Sequence, residues 1–185
     1  MSTRTASRPF SAVALAQTAL FAALIAVCSW ITVPMVVPFT LQTFAVFLAL
    51  LMLGGRRGTL AVTVYLLLGL VGAPVFSGFR GGVGVLFGAT GGYLLGFLLT
   101  ALLYWLVTAL CGDRPLVRVL TLVAGNLLCY AFGTAWFVVV YAGTAAPVGV
   151  MTALMKCVFP FLIPDAAKLA LAVLMASQLK KRLRF

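Results

Sequence analysis

Apolar residues gather in six long segments along the chain, and most Pro, Gly and charged residues lie between them. The segments cover about 11–33, 41–53, 58–71, 85–110, 116–141 and 165–179. A helix that spans a bilayer needs about 20 mostly apolar residues. The second and third segments are shorter, so we expect them to be tilted or to cross only in part. The pattern predicts an all-α membrane protein in which six transmembrane helices form one domain, residues 1–185.

The limits of the first and last helices are set by charged residues and prolines. Arg4 and Arg8 precede the first segment, as in a cleaved signal peptide. That segment is longer than the usual apolar core of a signal, so we expect a membrane helix instead. At the other end, Pro160 and Pro164 follow a shorter apolar stretch. We therefore expect the last helix to begin at Asp165.

The amino-acid composition excludes a soluble domain. Apolar residues make up 64% of the chain and charged residues 8%, whereas soluble domains are about 25% charged. The sequence contains no His, and its four cysteines, at positions 28, 111, 129 and 157, form no metal or redox motif. We interpret them as small apolar packing residues. We expect no catalytic residues, no metal site and no cofactor.

The basic residues predict the orientation of the chain in the membrane. The net charge of +11 could indicate a nucleic-acid partner, but most of the charges flank apolar segments. If the N-terminus is inside, the cytoplasmic pieces hold ten of the thirteen basic residues, as the positive-inside rule expects. These are Arg4, Arg8, Arg56, Arg57, Arg114, Arg118, Lys180, Lys181, Arg182 and Arg184. We predict cytoplasmic tails over 1–10 and 180–185, and the lipid bilayer, not nucleic acid, as the environment.

Asp165 and Lys168 are the first candidate site residues. The chain has only two acids, and the other, Asp113, lies beside Arg114 in a predicted cytoplasmic loop, where we expect it to be solvated. Asp165 and Lys168 are three residues apart and therefore share one helical face. Asp165 could cap the dipole of the last helix, or the two residues could form a structural ion pair. Because ionisable groups in membrane segments usually mark a ligand or ion path, we favour a binding site.

Two predicted outer loops supply the remaining candidates. Arg80 lies in a Gly-rich loop on the side that the positive-inside rule disfavours, which indicates either a ligand anchor or a lipid-headgroup anchor. Gln42 and Thr43 begin the second helix, where Thr40 could instead act only as a cap. Together the outer side offers a pocket for a small, partly apolar solute with polar ends. Its candidate residues are Gln42, Thr43, Phe76, Ser77, Phe79, Arg80, Tyr93, Asp165 and Lys168.

Small residues predict two faces for close helix packing. Gly84, Gly88, Gly92 and Gly96 follow one another at four-residue spacing, which predicts one continuous packing face on the fourth helix. The first helix is rich in alanine, and overlapping pairs four residues apart leave the register of its docking face open. The helix that docks there could belong to this chain or to a partner subunit. The candidate residues of the docking face are Ala12, Ala16, Ala19, Ala22, Ala23 and Ala26.

The stretch PVFSGFRGGVGVLFGATGGYLLGF, residues 74–97, closely resembles the BioY family, the biotin-capturing S components of energy-coupling-factor (ECF) transporters. PFTLQT at 38–43, LGGRRG at 53–58 and PFLIPDAAK at 160–168 are similar to it as well. The resemblance extends over essentially the whole chain. It implies an S-component-like bundle that binds biotin from the outer side as transported ligand.

The resemblance also implies partners. A transmembrane coupling subunit with two ATP-binding subunits would dock on the alanines of the first helix, and ATP hydrolysis would come from these partners, because this chain has no ATP-binding motif. We expect a multi-pass protein of a prokaryotic plasma membrane. An S component for another vitamin and a proton-coupled carrier that uses Asp165 stay open. An enzyme has few candidate acid–base groups in this sequence, and a structural scaffold would make Arg80, Asp165 and Lys168 replaceable.

Overall fold

Helices account for most of the residues that the structure describes. The computed structural model describes residues 11–142 and 149–183, so Arg4, Arg8, Arg184 and the predicted tail over 1–10 lie outside the described residues. The helices are α1 (Ala12–Trp30), α2 (Gln42–Leu70), α3 (Val83–Leu86), α4 (Gly91–Cys111), α5 (Pro115–Ala142), α6 (Val150–Cys157) and α7 (Phe159–Leu183). Between α1 and α2, strands β1 (Thr32–Val33) and β2 (Phe39–Thr40) form a small antiparallel hairpin.

Helix α2 consists of two helical arms that meet at Gly54. This residue has φ 77° and ψ 175°, a conformation that favours glycine because it has no side chain to clash. Gly58 then lies against Leu50 and Ala49, so close that an added Cβ would be 2.9 Å from the Leu50 side chain. The chain therefore turns back at Gly54. The predicted second and third segments are these two arms, 42–53 and 55–70.

Length and composition allow five helical stretches of the described chain to cross a membrane, with α2 counted as one stretch and α6–α7 as another. The two arms of α2 bring the number of apolar helical segments to six. The first arm is central, because every residue from Gln42 to Leu53 is buried. Such an arm, covered on all sides, is typical of the middle of a bundle. The predicted all-α membrane fold is confirmed.

The predicted single packing face of four glycines is wrong. The chain leaves the helical path at Phe87–Thr90, between α3 and α4, so Gly84 and Gly88 are not on α4. The many glycines of this stretch make a continuous helix unfavourable. Gly92 and Gly96 do lie on α4, where they let Trp136 and Cys129 of α5 approach closely. Of the four glycines, Gly92 and Gly96 therefore form a close-packing face, at the contact of α4 with α5.

The last helix begins earlier than expected. Helix α7 starts at Phe159 and contains both Pro160 and Pro164. Pro160 in the first turn costs little because its missing N–H would have had no partner there, whereas Pro164 lies inside the helix. Asp165 therefore lies in the second turn, not at the helix start, and the dipole-capping interpretation is wrong.

The bundle has two chemically different ends. At one end, the hairpin β1–β2, the residues from 71 to 90 and the start of α7 come together; we call this the cavity end. At the other lie the turn at Gly54, the loop between α4 and α5, and the last residues of α7; we call this the basic end. The described basic residues of the basic end are Arg56, Arg57, Arg114, Arg118, Lys180, Lys181 and Arg182.

Candidate functional site

A cavity at the cavity end is enclosed by α2, α4, α5 and α7 and by the two connections above them. The space that protein atoms leave empty, including the open mouth, is about 700 Å³. Its lining residues are Val37, Pro38, Thr40, Gln42, Thr43, Phe76, Ser77, Arg80, Val85, Thr90, Tyr93, Leu94, Phe97, Asn126, Cys129, Tyr130, Cys157, Phe161, Asp165 and Lys168. Polar groups from several helices and loops therefore share one mostly apolar pocket.

The structure brings together eight of the nine predicted site residues. Gln42, Thr43, Phe76, Ser77, Arg80, Tyr93, Asp165 and Lys168 all line the cavity. Phe79 does not. Its backbone has φ 55° in the tight turn between Phe76 and Arg80, and this turn directs its ring outward, where it is 64% exposed. There the ring stacks on Trp30 with centroids 5.0 Å apart.

Asp165 and Lys168 form a buried ion pair in the cavity wall. Lys168 Nζ donates to Asp165 Oδ1 at 2.8 Å, and only 4% of Asp165 and 6% of Lys168 is exposed. The same ammonium donates to the carbonyl oxygen of Thr40 at 2.7 Å and lies 4.0 Å from the centre of the Phe39 ring. The ion pair therefore also attaches α7 to the hairpin β1–β2.

Tyr130 and Asn126 of α5 are site residues that were not predicted. Tyr130 donates its hydroxyl hydrogen to Asp165 Oδ2 at 2.5 Å, so both carboxylate oxygens are held. Asn126 lies one turn before Tyr130 and lines the same cavity. Their four-residue spacing on a mostly apolar helix was the signal that could have revealed them, since residues at this spacing share a face.

Gln42 contributes a polar group without a partner. Its backbone N–H donates to Thr40 Oγ1 at 3.3 Å, but the N-cap position of α2 is Leu41, so Thr40 is not the cap residue. The Gln42 side chain is buried against the cavity, and its Nε2 makes no hydrogen bond within the described structure. A buried donor without an acceptor is costly. A ligand acceptor in the cavity would satisfy it.

The loop that carries Arg80 is fixed above the cavity. Phe76 and Arg80 pair through both backbone hydrogen bonds, and Arg80 Nε donates to the Ser77 carbonyl at 3.1 Å. Ser77 Oγ donates to Thr32 Oγ1 at 3.1 Å, which joins this loop to the hairpin β1–β2. Arg80 itself is exposed. It therefore offers an accessible guanidinium at the mouth, unlike the buried Lys168.

The remaining lining includes Tyr93, two thiols and apolar side chains. The Tyr93 hydroxyl is 3.1 Å from Thr134 Oγ1. Cys129 and Cys157 are buried free thiols beside it. No group of three or more His, Cys, Asp or Glu side chains able to hold a metal occurs among residues 11–142 and 149–183. The lining thus presents one carboxylate, two cations and two amides to a ligand whose middle is apolar.

The alanines of α1 divide into two sets. Ala12, Ala16, Ala19 and Ala23 are exposed along one face of the helix. Ala22 and Ala26 are buried, with 2% and 6% exposure, in the core that α1 forms with α2. Ala22 and Ala26 therefore pack against another helix of the same chain, which was one of the two alternatives for the predicted docking face.

Comparisons with known proteins agree on one family. The model of the BioY family matches residues 1–185. A biotin transporter BioY of Thermotoga maritima is 42% identical over 168 residues, which cover 90% of this chain and 95% of the relative. A probable biotin transporter BioY of Pyrococcus horikoshii is 40% identical over 163 residues, covering 88% of this chain and 93% of the relative.

A solved structure shares the fold. The crystal structure of the S-component for biotin from an ECF-type ABC transporter superposes with a TM-score of 0.80 at 24% identity, covering 94% of this chain and 95% of that one. This match confirms the predicted S-component-like bundle. The match of the family model to residues 1–185 and the two relatives show that the chain belongs to the BioY family.

Proposed function

We propose that this chain is the biotin-binding S component of an ECF-type vitamin uptake transporter. The observation that carries the proposal is the cavity of a BioY-family chain in which Asp165, Lys168, Gln42 and Arg80 meet. Relatives about 40% identical are named biotin transporters. The chain captures the vitamin and is not itself an enzyme.

The charges of the cavity suggest how biotin is oriented. Biotin has a ureido ring with two N–H donors and a carbonyl, an apolar thiophane with its chain, and a carboxylate. Asp165 accepts hydrogen bonds and repels anions, so the ureido end belongs beside it. Lys168 has three N–H donors, of which two are occupied, so one is left for the ureido carbonyl. The carboxylate then belongs at the mouth, beside the exposed guanidinium of Arg80.

The distribution of basic residues supports an outward-facing cavity. The basic end lies at the opposite end of the bundle from the cavity. The positive-inside rule assigns an end rich in basic residues to the cytoplasm. Both termini are then cytoplasmic, and biotin enters from the outer side of a prokaryotic plasma membrane.

Import requires partners, because capture alone moves no solute against a gradient. We assign the exposed face of Ala12, Ala16, Ala19 and Ala23 to the transmembrane coupling subunit, which carries two ATP-binding subunits. Small side chains let a second helix approach closely in a membrane.

Isothermal titration of the detergent-purified chain tests the ligand. Biotin should bind tightly, and thiamine, riboflavin and other vitamins should neither bind nor compete. Binding of one of those vitamins in place of biotin would identify an S component of different specificity. No binding of any vitamin would overturn the proposal.

Reconstitution tests the transport mechanism. Biotin uptake into proteoliposomes should need the coupling and ATP-binding subunits together with ATP. Uptake by the chain alone that an uncoupler abolishes would identify a proton-coupled carrier instead. Ala16→Trp should retain biotin binding but lose co-purification with the coupling subunit. Leu106→Trp, which adds bulk at an exposed position of α4, should affect neither.

A further inference from the structure

The cavity has a thin wall on the side of α5 and α7. A second recess lies outside this wall, in the groove between the two helices, and its lining includes Asn126, Tyr130 and Asp165. The same three residues also line the cavity. They therefore form a common wall, which we call the α5–α7 wall.

The groove outside the wall is apolar and open to the side of the bundle. Leu127 on α5 and Leu174 on α7 border it with 56% and 62% exposure, and Phe47 of α2 lies at its base. It exists because the two helices have different partners: α5 packs mainly on α4, and α7 packs mainly on α2. Side chains of the α5–α7 wall, not helix packing, therefore close the cavity on this side.

Tyr130 is the largest element of the wall and the one that holds it together. Its ring lies between α5 and α7, and its hydroxyl bonds to Asp165 Oδ2, while Lys168 holds Oδ1. Both carboxylate oxygens are thereby held by protein groups. Only 8% of Tyr130 and 4% of Asp165 is exposed, so the wall is closed in this structure.

We infer that Tyr130 determines specificity by closing the cavity behind the Asp165–Lys168 pair, so that the site accepts only ligands with an unsubstituted ureido-type end. The inference rests on the proposed function, because it needs the ureido ring beside Asp165. An alkyl group on a ureido nitrogen would collide with the wall. Without the Tyr130 ring, the same group could extend into the apolar groove.

Titrations with three ligands test the inference: biotin, biotin with a short alkyl group on a ureido nitrogen, and biotin extended at its carboxyl group as an amide. The wild type should bind the N-alkyl ligand roughly a hundredfold more weakly than biotin, because overpacking a closed site costs that much. We call the dissociation constant of the N-alkyl ligand divided by that of biotin the ratio. In Tyr130→Ala this ratio should fall by about tenfold or more.

Two further variants separate the effect of the Tyr130 ring from the effects of its hydrogen bond and of a larger cavity. Tyr130→Phe keeps the ring, so it should keep the wild-type ratio while binding biotin about tenfold more weakly, because the bond to a charged group is lost. Phe161→Ala enlarges the cavity at a residue that does not line the groove, and it should leave the ratio unchanged. If Tyr130→Ala does not fold, Asn126→Ala thins the same wall and should lower the ratio in the same direction.

The inference is overturned if Tyr130→Ala and Phe161→Ala change the ratio equally. It is also overturned if Tyr130→Ala admits the amide-extended ligand instead, since the other end of biotin would then face the wall. Normal biotin binding with an unchanged ratio would refute this inference alone. A wild type that binds no biotin would refute the proposed function first.

Discussion

The two acids of this chain form two ion pairs with different surroundings. At the basic end, Asp113 pairs with Arg118, and 58% of the Asp113 side chain is exposed. At the cavity end, Asp165 pairs with Lys168, and only 4% of the Asp165 side chain is exposed. Solvent screens the first pair, whereas the second depends on its partners inside the bundle. Loss of a solvated pair should change the stability little. A buried pair that lines a cavity carries a desolvation cost, which is expected where the pair has a function.

The largest contrast is expected in stability. Lys168→Met leaves Asp165 buried without its cation, and removal of one partner of a buried pair costs about 3–5 kcal/mol. Arg118→Met removes the cation of the exposed pair and should cost no more than about 1 kcal/mol. Thermal or denaturant-induced unfolding in detergent measures the stability loss of both variants.

The double variant Asp165→Asn/Lys168→Met is the control for this contrast. It removes both charges and should recover much of the stability lost in the single variant, yet it should not recover biotin binding. Equal losses for Lys168→Met and Arg118→Met would contradict the distinction between the two ends.

The second contrast concerns two exposed arginines. Arg80→Ala should weaken biotin binding roughly tenfold to a hundredfold, the usual value of a hydrogen bond to a charged group. Arg114→Ala, exposed at the basic end, should leave the affinity unchanged. Titration with biotin methyl ester sharpens the result, because a ligand without a carboxylate should not distinguish Arg80→Ala from the wild type. If Arg80→Ala weakened the binding of biotin and of its methyl ester equally, the biotin carboxylate would not lie beside Arg80.

The smallest effect should come from the pH dependence of the exposed pair. The hydrogen bond from Arg118 lowers the pKa of Asp113 below its ordinary 3.8, against a smaller opposing effect of burial. A carboxyl with a lowered folded-state pKa stabilises the fold above its unfolded pKa and loses this effect as the pH falls. The free energy of unfolding of the wild type should therefore exceed that of Asp113→Asn by less than about 1 kcal/mol at pH 7. The difference should shrink as the pH falls below 3.8; a constant difference would contradict this origin.

The sequence predicted those features that depend on local pattern. Most segment limits followed from hydrophobicity, including the break between the second and third segments, and the shared helical face of Asp165 and Lys168 followed from their spacing of three residues. Eight of nine candidate residues reached the cavity because they lie on connections and helix starts that a bundle brings to one end.

Features that depend on packing could not be predicted in this way. Tyr130 meets Asp165 across 35 residues of sequence, which no local pattern specifies. Which alanines of α1 are exposed depends on the face that α2 covers, and hydrophobicity does not differ between Ala19 and Ala22. The start of α7 was misplaced because prolines were expected to precede the helix, whereas it contains both Pro160 and Pro164.

Biotin titration of two matched variants tests the central claim most directly. Asp165→Asn and Asp113→Asn make the same chemical change at the only two acids of the chain, one in the cavity and one at the basic end. Wild type and Asp113→Asn should bind biotin with equal affinity, and Asp165→Asn should bind it at least about tenfold more weakly, since a charged hydrogen-bond acceptor is lost. Equal affinities for both variants, with each still folded, would contradict the assignment of the cavity to biotin.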